Sequence, residues 1–109
     1  MNRPSMRYFL VKFVARDPIS ADVLENALYG SIERMFGKFG SEELRTRFIA
    51  FEESSKLAVV RCTSASVEKL RTALLLMREV DGAPLAAGVL RSSGTIRGLK
   101  VRVRGLRRR

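Results

Sequence analysis

Leu44-Arg-Thr-Arg-Phe-Ile-Ala-Phe-Glu-Glu-Ser-Ser-Lys-Leu-Ala-Val-Val-Arg-Cys-Thr63 reads as two strands folded back on each other. The first half, Leu44–Glu53, is rich in residues that suit a pleated surface: Phe48, Ile49 and Phe51. Glu52-Glu53-Ser54-Ser55 is a tight polar turn, and Lys56–Thr63 is the returning strand, so the pair is an antiparallel hairpin. On either side of this hairpin the apolar spacing changes from a period of two to a period near 3.6, the mark of flanking helices.

Upstream, Tyr8–Ala15 is a strand with Phe9, Val11, Phe13 and Ala15 on one face and Tyr8, Leu10, Lys12 and Val14 on the other. Asp17-Pro-Ile-Ser20 breaks it and opens a helix, with Ser20, or Asp17 followed by Pro18, as the N-cap. Leu24, Ala27, Leu28, Ile32 and Met35 form the stripe of that helix, which is expected to run to about Phe36 and end at Gly37 or Gly40. Downstream, Ser64 or Ser66 caps a second helix that runs through Val80, with Val67, Leu70, Ala73, Leu74 and Met77 inward. Asp81-Gly82-Ala-Pro84 stops it, and Leu85–Arg91 is a fourth strand.

The order β-α-β-β-α-β implies an α+β, split βαβ or ferredoxin-like sandwich, of the layout seen in RRM-like domains. Its antiparallel four-stranded sheet has the expected order 4-1-3-2, with both helices on one face and extra terminal segments. One domain over residues 1–109 is expected, with a basic segment over 95–109 that is either a flexible tail or a short helix interrupted by Gly98 and Gly105. One feature exceeds the minimal sandwich. Leu10, Leu57 and Val59 make the second sheet face apolar, and Leu75 and Leu76 lie outside the main stripe of the second helix. These five residues predict a cover, supplied by terminal segments, a second copy or another protein.

Charge is concentrated at one end. The last acid is Asp81, and eight basic residues follow it. The chain is formally +10; residues 1–81 hold thirteen bases and eleven acids, which leaves +2 for them and +8 for the rest. A basic segment of this kind suits a polyanion, since binding releases the counterions condensed on phosphates. Arg91-Ser-Ser-Gly-Thr-Ile-Arg-Gly-Leu-Lys100 is the best candidate. Arg91, Arg97 and Lys100 supply charge, and Ser92, Ser93 and Thr95 supply hydroxyls. Gly94 is expected to permit a turn that points backbone N–H groups at an oxyanion.

The same composition excludes much chemistry. There is no histidine and one cysteine, Cys62, which removes most zinc sites and imidazole-assisted nucleophiles. The acids are scattered, so no catalytic residue and no metal site is assigned. Cys62 alternates with Ala58 and Val60 and reads as a small core residue. The third strand has no aromatic residue on which a base could stack. The loop Arg16–Ser20 has no glycine, which counts against the alternative of a small regulatory or acyl-phosphate-handling domain. A ribosomal-type RNA-packaging protein would share the charge. A lone cysteine, no apolar run long enough to span a bilayer and no signal-like N-terminus predict a cytoplasmic protein without a membrane segment.

An ordered set of pieces adds to this reading: Arg7-Tyr-Phe-Leu-Val-Lys-Phe13, Pro18-Ile-Ser20, Met35-Phe-Gly-Lys-Phe-Gly-Ser41, the Lys56–Cys62 strand ending in Arg-Cys, and Val89-Leu-Arg-Ser-Ser-Gly-Thr-Ile-Arg97. Over roughly Arg7–Lys100 the chain resembles the archaeal ribonuclease P protein component 2 family, found also in eukaryotic ribonuclease P and ribonuclease MRP. The resemblance implies a non-catalytic, RNA-binding subunit of a ribonucleoprotein that removes the 5′ leader from precursor tRNA. It implies that the RNA holds the active site and its Mg2+, with no cofactor in the protein. The implied partners are ribonuclease P RNA, precursor tRNA and ribonuclease P protein component 3, with assembly into a dimer or heterotetramer. The chain departs from the family pattern in its Arg-rich end, Val101–Arg109, and in its sparsely charged helix-entry loop.

Overall fold

The computed structural model describes residues 4–101 and the backbone of 107–108. The rest of the Arg-rich end, on which part of the expected basic segment falls, lies outside the described residues. Four strands form the body of the sheet: β1 (Met6–Ala15), β2 (Arg47–Glu52), β3 (Leu57–Thr63) and β5 (Ala83–Ser93). Two-residue strands, β4 (Glu79–Val80) and β6 (Arg107–Arg108), extend its two edges. The order is β4-β5-β1-β3-β2-β6, with antiparallel pairing at every neighbour. Without the edge pieces it is the expected 4-1-3-2 arrangement. Two helices, α1 (Ala21–Leu44) and α2 (Val67–Leu75), pack on one face.

The main core lies between helices and sheet. Phe9, Val11 and Phe13 from β1, Ala58, Val60 and Cys62 from β3, and Phe48 and Phe51 from β2 meet Leu24, Leu28 and Ile32 from α1 and Leu70, Ala73 and Leu74 from α2. Hydrogen bonds tie this layer together. Ser31 Oγ donates to the Ala73 carbonyl at 3.0 Å and ties the two helices together. The Phe48 amide donates to the Tyr29 hydroxyl at 3.1 Å and ties α1 to β2.

Several local expectations hold, and others are corrected. Ser20 is the N-cap of α1, in extended conformation, accepting from the Val23 amide at 3.3 Å. Gly37, at φ 73°, breaks the helix as its left-handed conformation requires, but helical structure resumes and reaches Leu44. Leu44 is therefore a buried helix residue rather than the start of a strand, and Arg45 closes the helix in the left-handed region. The second helix is shorter than expected: α2 stops at Leu75, not Val80. The residues beyond it form a β4–β5 hairpin, in which Asp81 and Gly82 both have positive φ, 49° and 80°. That is the requirement of a type I′ turn, for which Asp-Gly is a preferred pair. The fourth body strand consequently spans Ala83–Ser93 rather than 85–91.

The apolar centre of the second sheet face is covered by the chain itself. After Ser93 the backbone turns under the sheet through a short 3-10 turn, Arg97–Leu99. It places the fully buried Leu99 against Leu10, Ala50 and Val59, with Tyr8, Ile49, Leu57 and Val101 around them. Leu10 and Val59 are thus buried without any other molecule.

Candidate nucleic-acid interface

The segment 91–100 is built by a bulge and a turn. Pairing of β1 with β5 shifts between Leu10 and Val11, so that Val11 faces Val89 while Leu10 faces Arg91. Leu90 is the extra residue, and it is exposed. The shift re-aims the chain, as bulges do. Val89 packs into the main core, whereas Arg91 lies on the opposite face, where its Nη1 donates to the Leu99 carbonyl at 3.4 Å.

The expected site residues are therefore divided. Ser92 is on the helix side, where its hydroxyl accepts from Arg7 Nη2 at 3.3 Å. Ser93 is on the other face, paired with Tyr8. Ser93 Oγ accepts from the Thr95 amide at 3.3 Å, and Thr95 Oγ1 accepts from the Gly98 amide at 3.0 Å. The amides of Leu99 and Lys100 donate to the carbonyls of Ile96 and Arg97. These four backbone donors are engaged inside the segment, and Gly94 does not adopt positive φ. What it offers a polyanion is side-chain charge: Arg91, Arg97 and Lys100 are all exposed.

Two residues that sequence reasoning passed over belong here. Arg7 reaches across to Ser92 and flanks Gly94. Gly98 is sterically fixed, because a Cβ there would lie 1.9 Å from Ser93 Oγ and 3.0 Å from Ser93 Cβ. An Arg beside a strand of alternating apolar residues gave no local signal for the first. The second was visible only as a helix-disfavouring glycine.

The five residues expected to need a cover also separate. Leu10 and Val59 are buried, and Leu57 is half-buried, under the 97–101 segment. Leu75 and Leu76 remain 70% and 51% exposed beside a groove between α1 and the β4–β5 hairpin. Among the described residues no group of three or more Cys, Asp or Glu could hold a metal ion, and no helix is long and apolar enough to cross a membrane. Burial pushes the Cys62 thiol from 9.0 up to about 11, which makes it a core group rather than a nucleophile.

Fold and surface together define a small split-βαβ protein whose positive charge is concentrated from Arg91 onward and whose second sheet face has its apolar centre closed by its own chain. The model of the Rpp14/Pop5 family matches residues 7–104, and the chain belongs to that family. The chain is 33% identical over 98 residues to a Thermococcus gammatolerans protein named ribonuclease P protein component 2, covering 90% of this chain and 82% of that protein. A Pyrococcus abyssi protein of the same name is 31% identical, with 90% and 83% covered. Another from Methanosphaerula palustris is 34% identical over 103 residues, with 94% and 63% covered. A chain in the cryo-EM structure of yeast ribonuclease MRP superposes with a TM-score of 0.66 at 19% identity, over 87% of this chain and 78% of that one, and so shares the fold.

Proposed function

We propose that this protein is a non-catalytic, RNA-binding subunit of ribonuclease P that supports RNA-catalysed removal of the 5′ leader from precursor tRNA. The observation that carries the reading is the family match across 7–104, joined to relatives named ribonuclease P protein component 2. Its chemistry agrees. The mechanism is electrostatic: exposed arginines reduce repulsion between phosphates, so the RNA reaches its active shape at lower Mg2+. In this reading the Mg2+ belongs with the RNA. Partners in this reading are ribonuclease P RNA, precursor tRNA and ribonuclease P protein component 3, with the exposed Leu75 and Leu76 available to a protein neighbour and a dimer or heterotetramer as the assembly. The place of action is the cytoplasm.

The test is reconstitution with ribonuclease P RNA, with and without protein component 3. Arg97→Gln with Lys100→Gln is the cleanest variant, because Arg91 also holds the Leu99 carbonyl. Losing two phosphate contacts lowers the slope of log K against log salt by about 1.4 for single-stranded and about 1.8 for duplex RNA. It also raises the Mg2+ needed for cleavage. Unchanged slope and Mg2+ requirement would remove these residues from the interface. Leader cleavage by the protein alone, surviving repurification, would contradict the non-catalytic role.

A further inference from the structure

The second face of the sheet carries a row of polar residues beside its closed apolar centre. Arg47 on β2 lies directly opposite Arg61 on β3; Arg61 lies opposite Tyr8 on β1; Tyr8 lies opposite Ser93 on β5. Residues directly opposite in an antiparallel pair project to the same side, so these four make one line across four strands. The neighbouring row, Ala50, Val59, Leu10 and Arg91, is the one sealed by Leu99.

Two features of this row find no use among the described residues. Arg47 and Arg61 are like charges set directly opposite, an arrangement that disfavours the strand pair. Among the described residues neither guanidinium has an acidic partner, and the nearest acid on this face, Glu52, is opposite Leu57 two rows away. In addition, Arg61 Nε is buried and finds no acceptor among the described residues. A buried donor without an acceptor is rare in folded proteins, and an acceptor from outside the chain would satisfy it.

We propose that the row Arg47–Arg61–Tyr8–Ser93 is a second RNA-contacting site, which holds the phosphate backbone of a strand running across the sheet. Adjacent strands are about 4.8 Å apart, so the four positions span roughly 14 Å. The line continues into Arg91 one row away and the Arg97–Lys100 turn that follows β5. A guanidinium offers a planar fork of donors that matches phosphate oxygens, and two of them side by side lose their mutual repulsion once an anion lies between. A track of positive charge across several strands fits a regularly charged polymer better than an isolated carboxylate on a folded protein. The inference rests on the reading of the chain as an RNA-binding subunit, but it adds residues and a face that this reading does not use.

The experiment uses the full chain and transcribed ribonuclease P RNA. Arg47→Gln with Arg61→Gln should lower the salt slope by about 1.4–1.8, as two lost phosphate contacts require. Extrapolated from 1 M salt, that difference corresponds to roughly 10–30-fold weaker binding at 0.15 M. The thermal midpoint should be unchanged or higher, since a like-charge pair is removed. Ultraviolet cross-linking of the wild-type complex should place RNA on the peptide containing Tyr8, a readout that does not depend on any variant folding. If wild type does not bind the RNA, the functional reading itself fails. If wild type binds while the variant binds equally with the same slope, or no cross-link maps to this face, the second site is refuted. Loss of binding to protein component 3 with RNA binding intact would also refute it, by showing the row to be a protein contact.

Discussion

Leu99→Ala tests how the second face of the sheet is closed. Leu99 is fully buried among Leu10, Ala50 and Val59, and it is the main apolar group that the 97–101 segment contributes to that face. Truncating a buried leucine costs the transfer of its lost methyl groups and the cavity they leave, about 2–5 kcal/mol. The lower part of that range applies here, about 2–3 kcal/mol, because the segment lies on the sheet from one side and can settle into the gap. For a chain of this length that is a fall of roughly 8–12 °C in the thermal midpoint. Partial release of the segment exposes Leu10 and Val59 in the native state. The denaturant m-value should then fall, and a dye that binds apolar surface should begin to fluoresce before the main transition. Leu90→Ala, at an exposed bulge position, serves as the control and should stay within about 0.5 kcal/mol of wild type. A Leu99→Ala midpoint within about 2 °C of wild type, without dye binding, would show that the segment is not what closes this face.

Cys62 should resist alkylation at pH 8 in the native protein and react on unfolding, as followed by mass spectrometry. Because burial raises its thiol from 9.0 to about 11, folding favours the neutral form. Its contribution to stability is complete below pH 9 and is lost as pH rises through about 11, a dependence that denaturation curves should show and Cys62→Ser should abolish. Gly82→Ala places a Cβ at φ 80° in the Asp81-Gly82 turn and should cost about 1–2 kcal/mol in chemical denaturation; a neutral result would argue against the type I′ hairpin.

The candidate interface residues illustrate why local reading reaches only part of the candidate site. Arg91, Arg97 and Lys100 were evident because charge after the last acid needs no fold to be noticed. Arg7 was not, since only the pairing of β1 with β5 brings it to Ser92, eighty-five residues away. The opposition of Arg47 and Arg61 was equally hidden: each reads as an ordinary solvated arginine until the register of β2 on β3 sets them face to face. Asp81-Gly82 had the opposite fate. It carries a strong hairpin signal, but it follows a helical apolar stripe and reads locally as a helix stop, whereas the helix ends at Leu75 and the strand begins at Ala83.

What the sequence determined by itself is what short-range physics controls. The alternation of Phe9, Val11 and Phe13, the stripe of Leu24, Leu28 and Ile32, the Ser20 cap and the acid-free end are periodicity, capping and charge, each legible within a few residues. Together with the handedness of crossovers they imply the four-strand order. The tertiary structure alone decided the rest. A bulge between Leu10 and Val11 sent Arg91 and Ser92 to opposite faces, and Leu99 found its partners in three strands far away in sequence. Register and closure depend on contacts between residues remote along the chain, where one residue of slip reverses which face a side chain meets.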